Sequence, residues 1–463
     1  MNPPHPTRLS PAAAARAVWL LFGIGLAIGI VMLVRSQVGG DQLNLLARGW
    51  LLAAEGKWIS YGNPMSTGGK APGGITSILV GLPLFLWRDH RAASALVLVF
   101  HVLAYLILDA TLKRTLSPFE RVLLAVFYWL NPWRLYFGSF LWNPNYLFLF
   151  GVLHLWSART QRERGRFWPS FVHAAGLALA FQIHASFLLL AVASALLWWR
   201  RYFRVSWPGF LLGGALASVP LVPWAMELAS NPGIVTEASK GFLGRGLVLV
   251  FPLLRGLLYW LRYASLAIAG RMGDFNFGDF GPDPWLGPAL RVLGQALAVT
   301  ALLPLLANIR LWRRGKRLLR EKLAPGITDR SWLKGYARVC FVAAVIVFSL
   351  SPTTLMMWQG LILFHAAILP VVLWLGPLSR TRFASRVATG TRVYVAAEIL
   401  LGIAMALGSL QYRCAGHTGD DSFGFPLPYD HPMFHELKIQ ETCPWPIDPA
   451  KTWWPDVLPR PSS

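Results

Sequence analysis

Charge is scarce in this sequence, and acidic charge is scarcest. Of 463 residues only 14% are charged, with 21 Asp and Glu against 43 Lys and Arg. A soluble chain of this size carries about a quarter charged residues. Cysteine occurs three times, at 340, 414 and 443, and nothing has the spacing of zinc ligands. No GxxxxGK[ST] loop is present to cradle a nucleotide phosphate. There is no internal repeat, so the inverted-repeat plan of many secondary transporters is missing. No cleavable signal peptide is evident, because the short basic N-terminus (Arg8, Arg16) leads into a run, Ala15 to Val34, long enough to span a bilayer.

What is abundant is apolar surface. Hydrophobic residues make up 55% of the chain, with 22 Trp and 27 Phe, and mean hydropathy is +0.47. Apolar runs at about 17–34, 92–112, 122–139, 141–157, 170–184, 186–199, 209–228, 286–307, 338–355, 358–377 and 393–411 predict an all-α integral membrane protein with about eleven transmembrane helices. The loops 1–16, 113–121, 158–169, 200–206, 308–338 and 379–392 hold 26 Lys and Arg against 4 acids, an excess equal to the whole net charge of +22. Basic residues confined to one alternating set of loops are the signature of the cytoplasmic side. The excess therefore points to topogenic loops against anionic lipid, with no nucleic-acid partner. The stretch "RLWRRGKRLLREK" reads as a basic amphipathic helix on that leaflet. A cytoplasmic N-terminus follows, with 35–91, 229–285 and the Pro-rich tail 412–463 on the outer face. The run "GGITSILVGLPLFLW", 73–87, cannot cross without inverting every later loop. It is expected as a juxtamembrane or re-entrant helix, tethered by Arg88 and Arg91 and broken near Pro83.

Just past the first span the chain places one acid, Asp41, then the amphipathic "NLLARGWLLAAEGKWI", a turn at "YGNP", and "GGKAPGG" before the non-crossing helix. An Asp before a helical run is a good N-cap. A carboxylate at a water–lipid boundary is also placed to act as a general base.

In its order of elements this stretch resembles the first outer loop of the GT-C glycosyltransferases. That superfamily of polyprenyl-phosphate-sugar-dependent membrane enzymes includes protein O-mannosyltransferases and lipid A aminoarabinose transferase. Asp41 stands where the family has its acid, Gln42 replaces the usual second acid, and "ARGWLLAAEGKWI" occupies the amphipathic helix. Lys70 with "APGG" stands at the Lys/His-Pro-Pro motif, and "LPLFLWRDHRAASALVL" matches the handover to the next span. The likeness covers residues 17–200. It implies a catalytic module at 1–228 with its outer loop at 35–91, an outer loop at 229–285, further spans at 286–411 and the tail at 412–463. It also implies transfer of a sugar from a polyprenyl-phosphate donor to a lipid, glycan or protein acceptor at a bacterial inner membrane, without a metal or cofactor. Asp41 would be the base. Lys70, Arg48 and Arg91 would face the phosphate, where positive charge stabilises a leaving group.

Asn143 and Asn145 in "WNPNYLF" stand where relatives carry a second acid. An amide orients a hydroxyl but takes no proton, and Asn143-Pro144 also reads as a plain turn and helix start. Gln182 and His184 in "LAFQIHASF" are expected near the outer surface, at substrate depth. A lone His such as His184 or His365 is more often a satisfied core residue. "GDFNFGDFGPDPW" fails the calcium-loop spacing. Asp109 is expected to pair with Lys113 or Arg114, and Glu398 with Arg392; Glu227 is a further acid near a span. Cys414 and Cys443 are disulfide candidates in an oxidising compartment, and Cys340 is an inert core residue. Two rival functions remain. A flippase would need a polar path that these spans do not offer. A polymerase or ligase of lipid-linked glycans would need His as well as Arg in 229–285, which holds only Arg245, Arg255, Arg262 and Arg271.

Overall fold

Twenty-five residues of apolar helix open the fold, and their limits are set locally. Ser10 accepts the backbone N–H of Ala13 through its hydroxyl, and Pro11 follows in the first turn, so α1 runs Pro11–Arg35. At 1.5 Å per residue it is about 37 Å long, enough to cross a bilayer. The computed structural model describes residues 9–36, 38–64, 70–231, 250–313, 328–351, 355–412, 431–439 and 457–458. Most of the basic stretch 310–322, Arg245, the cysteine pair Cys414 and Cys443, and the tail tryptophans Trp445, Trp453 and Trp454 lie outside these residues.

The described chain is all-helical. After α1 come α2 (Gly40–Glu55), α3 (Ile75–Leu86), α4 (His90–Leu112), α5 (Pro118–Leu124), α6 (Pro132–Phe137) and α7 (Leu147–Thr160). Next are α8 (Phe167–Ile183), α9 (Phe187–Trp199), α10 (Trp207–Ala217), α11 (Leu221–Ser230) and α12 (Val250–Tyr263). The series ends with α13 (Leu286–Ala296), α14 (Leu302–Arg313), α15 (Asp329–Ser349), α16 (Phe364–Leu378), α17 (Ala384–Gly408) and the short α18 (Pro432–Glu436). By length and composition six of the described helical segments can cross a membrane, α13 and α14 counting as one segment over Leu286–Arg313, or seven if α10 and α11, bent by 55°, form one span. Three shorter apolar helices, α3, α8 and α9, fall below that length. Described helix lies within each of the eleven expected runs, several runs are interrupted, and residues 352–354 of the run at 338–355 lie outside the described residues. Within 229–285, expected as loop, the chain forms α12.

The breaks have physical causes. The run expected at 122–139 begins with a capping box between Ser117 and Glu120 and widens into a π-helical turn at Ala125–Leu130. It stops at Asn131, because Pro132 offers no N–H and bars its neighbour from helical geometry. Asn131 repairs the gap. Its amide donates to the carbonyls of Phe127 (3.0 Å) and Tyr263 (2.8 Å), and its oxygen accepts from Trp133 N–H (2.9 Å). In α3 the expected break at Pro83 does not occur, and the helix continues to Leu86. Twelve residues rise only about 18 Å, so α3 lies against α2 as a non-crossing helix.

The two ends of the bundle differ in chemistry. At one end the basic loops are laced together. Arg159 donates to Thr115 (2.7 Å) and Asp329 (2.7 Å), Arg162 also pairs with Asp329, and Arg330 grips Glu120 (3.0 and 2.5 Å). Asp109 pairs here with Arg121 (2.9 and 2.6 Å) rather than with Lys113 or Arg114, because the chain turns after Leu112 and α5 carries Arg121 back to it. Glu398 does not pair with Arg392. It is fully buried inside the bundle, where the charge it feels is that of Arg134 on α6. At the other end lie α2, α3, the turn at 142–146 and the tail segment 431–439. Trp50 donates to Glu436 (2.8 Å), His90 N–H donates to the Leu437 carbonyl (2.9 Å), and Met433, Phe434 and Leu437 are fully buried.

Candidate functional site

The site begins at α2. Gly39 takes the N-cap position, and its N–H donates to Gln42 Oε1 (2.9 Å). Gln42 therefore closes the helix start, and Asp41 is left in the first turn, where negative charge complements the helix end. Asp41 is exposed. Its Oδ2 accepts the indole N–H of Trp142 (2.9 Å), which comes from the second turn at this end of the bundle. Trp142 lies edge-on to Trp358 (ring centroids 4.7 Å apart) and stacks over Phe137 (6.2 Å), so an aromatic shelf adjoins the carboxylate.

Lys70 is brought to the same end by a short paired loop. The Gly62 and Ala71 backbones exchange a hydrogen bond (2.9 Å), Ala71 N–H donates to the Asn63 carbonyl (3.0 Å), and Pro64 bridges to Lys70. Lys70 Nζ sits 3.9 Å from the centre of the Tyr61 ring, and the Arg48 guanidinium lies 5.7 Å from the same ring. Asn63 ties this loop to α2: its amide donates to the Asp41 carbonyl (3.1 Å) and its oxygen accepts from Arg48 (3.2 Å). Nothing in the sequence singled Asn63 out beyond the "YGNP" turn that contains it.

Arg48 is fully buried and also donates to the carbonyls of Asn44 (3.0 Å) and Tyr61 (3.3 Å). Its visible work is to hold the loop on the helix. Arg91 stands elsewhere. It forks onto Asp89 (2.8 and 2.5 Å), the N-cap of α4. Its neighbour Arg88 donates to the Ala53 carbonyl (2.8 Å), twelve residues and about 18 Å along α2 from Asp41. Asp89 is fully buried; burial raises its pKa, and the hydrogen bonds from Arg91 outweigh that to hold it below the ordinary carboxylate value.

Asn143 and Asn145 flank the turn that carries Trp142. Both are buried. Asn145 donates to the Phe140 carbonyl (2.7 Å), its own carbonyl meets His101 Nε2 (2.9 Å), and the side-chain oxygens of both have no partner among the described residues. Gln182 reaches the site from α8. Its amide donates to the Ala217 carbonyl (2.7 Å), freed by the bend between α10 and α11, and to Ala178 (3.1 Å). Its oxygen faces Gly73 in the Lys70 loop, where an added Cβ would stand 2.7 Å from it. His184 ends α8 and accepts Ser186 N–H (3.1 Å) at Nδ1, which also meets the Ser186 hydroxyl (2.7 Å). His365 lies apart in the core, bonded to Tyr336 (2.9 Å).

One acid joins this group that the sequence had left unassigned. Glu227 on α11 accepts the hydroxyl of Ser60, the residue before Tyr61. The loop 273–285 is occupied with structure: Asp283 accepts the N–H groups of Leu286 (2.8 Å), Gly287 (3.1 Å) and Phe277 (3.1 Å), capping α13.

No family model matches the chain, and no curated protein matches it. Two solved structures are similar to it. One is ArnT from Cupriavidus metallidurans in the apo state, at 15% identity and a TM-score of 0.45, covering 86% of this chain and 78% of that one. The other is ArnT from the same organism bound to undecaprenyl phosphate, at 15% identity and a TM-score of 0.38, covering 81% and 79%.

Proposed function

We propose that this chain is a GT-C-type glycosyltransferase. It takes a sugar from a polyprenyl-phosphate donor and transfers it to a lipid, glycan or protein acceptor on the outer face of a bacterial inner membrane. The observation that carries this reading is the shared anchorage of Asp41 and Lys70. An exposed carboxylate and a loop-borne ammonium are tied to one helix by Asn63, at the bundle end opposite the basic loops. The charge sorting of those loops supports placing this end outside.

In the proposed reaction Asp41 takes the proton of an acceptor hydroxyl as its oxygen bonds to the sugar's anomeric carbon. The bond from that carbon to the phosphate oxygen breaks, and its electron pair leaves with the polyprenyl phosphate. Lys70 stabilises the negative charge gathering there. Asn143, Asn145, Gln182 and His184 supply amide and imidazole groups to orient hydroxyls, and the shelf of Trp142, Trp358 and Phe137 offers an apolar wall. Arg48 serves by fixing the loop, and Arg91 acts at the far end of α2, nearer the headgroups. No resident cofactor enters this scheme.

The test is donor turnover in a strain lacking the gene, complemented by wild type or Asp41→Asn. The lipid-linked sugar that accumulates in the deletion should be consumed with wild type and persist with the variant. Full consumption by Asp41→Asn would remove the mechanism.

A further inference from the structure

Around the Lys70 loop two buried side-chain oxygens lack a partner among the described residues. Gln182 Oε1 is fully buried, faces Gly73 and has no partner among the described residues. Thr76 Oγ1 is fully buried at the start of α3, unpartnered among the described residues and 3.5 Å from where a Cβ on Gly62 would be. Glu227 stands on the same side, half-buried, with Ser60 donating to one carboxylate oxygen. Lys70, on the loop between them, is the cation. An unsatisfied buried acceptor costs about 1–3 kcal/mol, so a molecule that brings hydroxyl donors gains by meeting it.

Resting on the glycosyltransferase reading, we propose that these groups form the sugar-recognition subsite and that Glu227 is its specificity-determining residue. The Glu227 carboxylate accepts hydroxyls of the transferred sugar while Lys70 holds the phosphate, and the buried Gln182 side chain packs behind Gly73 of the loop. Acceptors and a fixed negative charge together admit a sugar rich in hydroxyl donors and exclude one bearing its own carboxylate, since like charges brought together in a half-buried site cost several kcal/mol. The substrate class is a polyprenyl-phosphate-linked neutral sugar, not a uronic acid. Ser60 positions the carboxylate and carries no part of the discrimination.

The experiment measures binding to the full chain in lipid nanodiscs. Three probes are used: farnesyl phosphate, farnesyl-phosphoryl glucose and farnesyl-phosphoryl glucuronate, the last two differing only at the sugar's sixth carbon, a hydroxymethyl group in one and a carboxylate in the other. Wild type is expected to prefer the glucosyl probe over the glucuronyl probe by roughly tenfold or more. In Glu227→Gln that ratio should fall to about threefold or less through a gain in glucuronyl binding. Glu227→Asp and Ser60→Ala should keep the wild-type preference. An unchanged ratio in Glu227→Gln, or an equal weakening of all three probes, would make Glu227 a loop staple and overturn the proposal alone. If farnesyl phosphate itself fails to bind wild type, the donor reading falls with it.

Discussion

Replacing Gly73 by alanine tests the contact that joins the Lys70 loop to the rest of the site. Gly73 has φ of +79°, a left-handed conformation that costs an L-residue roughly 1–2 kcal/mol. Its new Cβ would lie 2.7 Å from Gln182 Oε1, 3.0 Å from Gln182 Cγ and 3.0 Å from Leu221 Cδ2. Gln182 cannot swing away cheaply, because it is fully buried and its amide is committed to Ala217 and Ala178. Overpacking of this kind costs about 1–3 kcal/mol. The sum, at its low end near 2 kcal/mol, falls on the loop rather than on the bundle. It lowers the population of the binding-competent loop, and with it donor affinity, by about thirtyfold. The assay is farnesyl phosphate binding in nanodiscs beside thermal unfolding of the same samples. Gly73→Ala should weaken binding at least tenfold and shift unfolding little. Adding Gln182→Ala removes two of the three clashes, so the double variant should bind better than the sum of its parts by roughly 1 kcal/mol. Wild-type binding in Gly73→Ala, or strict additivity in the pair, would refute the reasoning.

Three other outcomes are expected. Asp41→Asn keeps an acceptor for the Trp142 indole and should unfold like wild type while losing transfer by at least about a hundredfold, measured as donor consumed. Asn63→Ala removes an acceptor from the buried Arg48 and should lower stability by about 1–3 kcal/mol with a parallel loss of donor binding, read by thermal unfolding and farnesyl phosphate titration. Glu120, ahead of the span that begins near 122, is 1% exposed; burial raises its pKa, but the Arg330 hydrogen bonds outweigh this and hold it below its ordinary 4.5. Its unfolded form then binds a proton first, so its stabilisation is complete above about 4.5 and is lost as pH falls through the lowered native value. Thermal unfolding followed from pH 7 down to about pH 3 should show that acid loss in wild type. Arg330→Met should be destabilised at pH 7 by about 3–5 kcal/mol and lose less further stability in acid than wild type, since Asp89 and Asp329 still contribute.

Legibility in the sequence followed the range of the interactions. The helical class, the sorting of basic loops and the short apolar helix at 75–86 all rest on hydropathy, spacing and charge within one or two helical turns, whereas Asp41, expected as an N-cap, yields that place to Gly39. Those quantities are written along the chain. Lys70 is paired with Pro64 and sits over the Tyr61 ring, in the loop that Asn63 ties to α2. Arg91 did not join it, since the sequence holds no measure of how α3 folds back along α2 and carries Arg91 to the far end.

The sequence by itself thus determined an all-helical, lipid-adapted chain with one face of loops strongly basic and a single acid opening the other. Only the tertiary structure decided which distant groups meet: Trp142 on Asp41, Gln182 against Gly73, Ser60 on Glu227, Arg121 on Asp109, and the segment 431–439 over Trp50 and His90. The reason is physical. Hydropathy marks the helices that can span the bilayer, whereas partner choice among loops is settled by close packing and by the need of each buried donor and acceptor to be met. Residues far apart in the chain acquire those partners only once the helices are side by side.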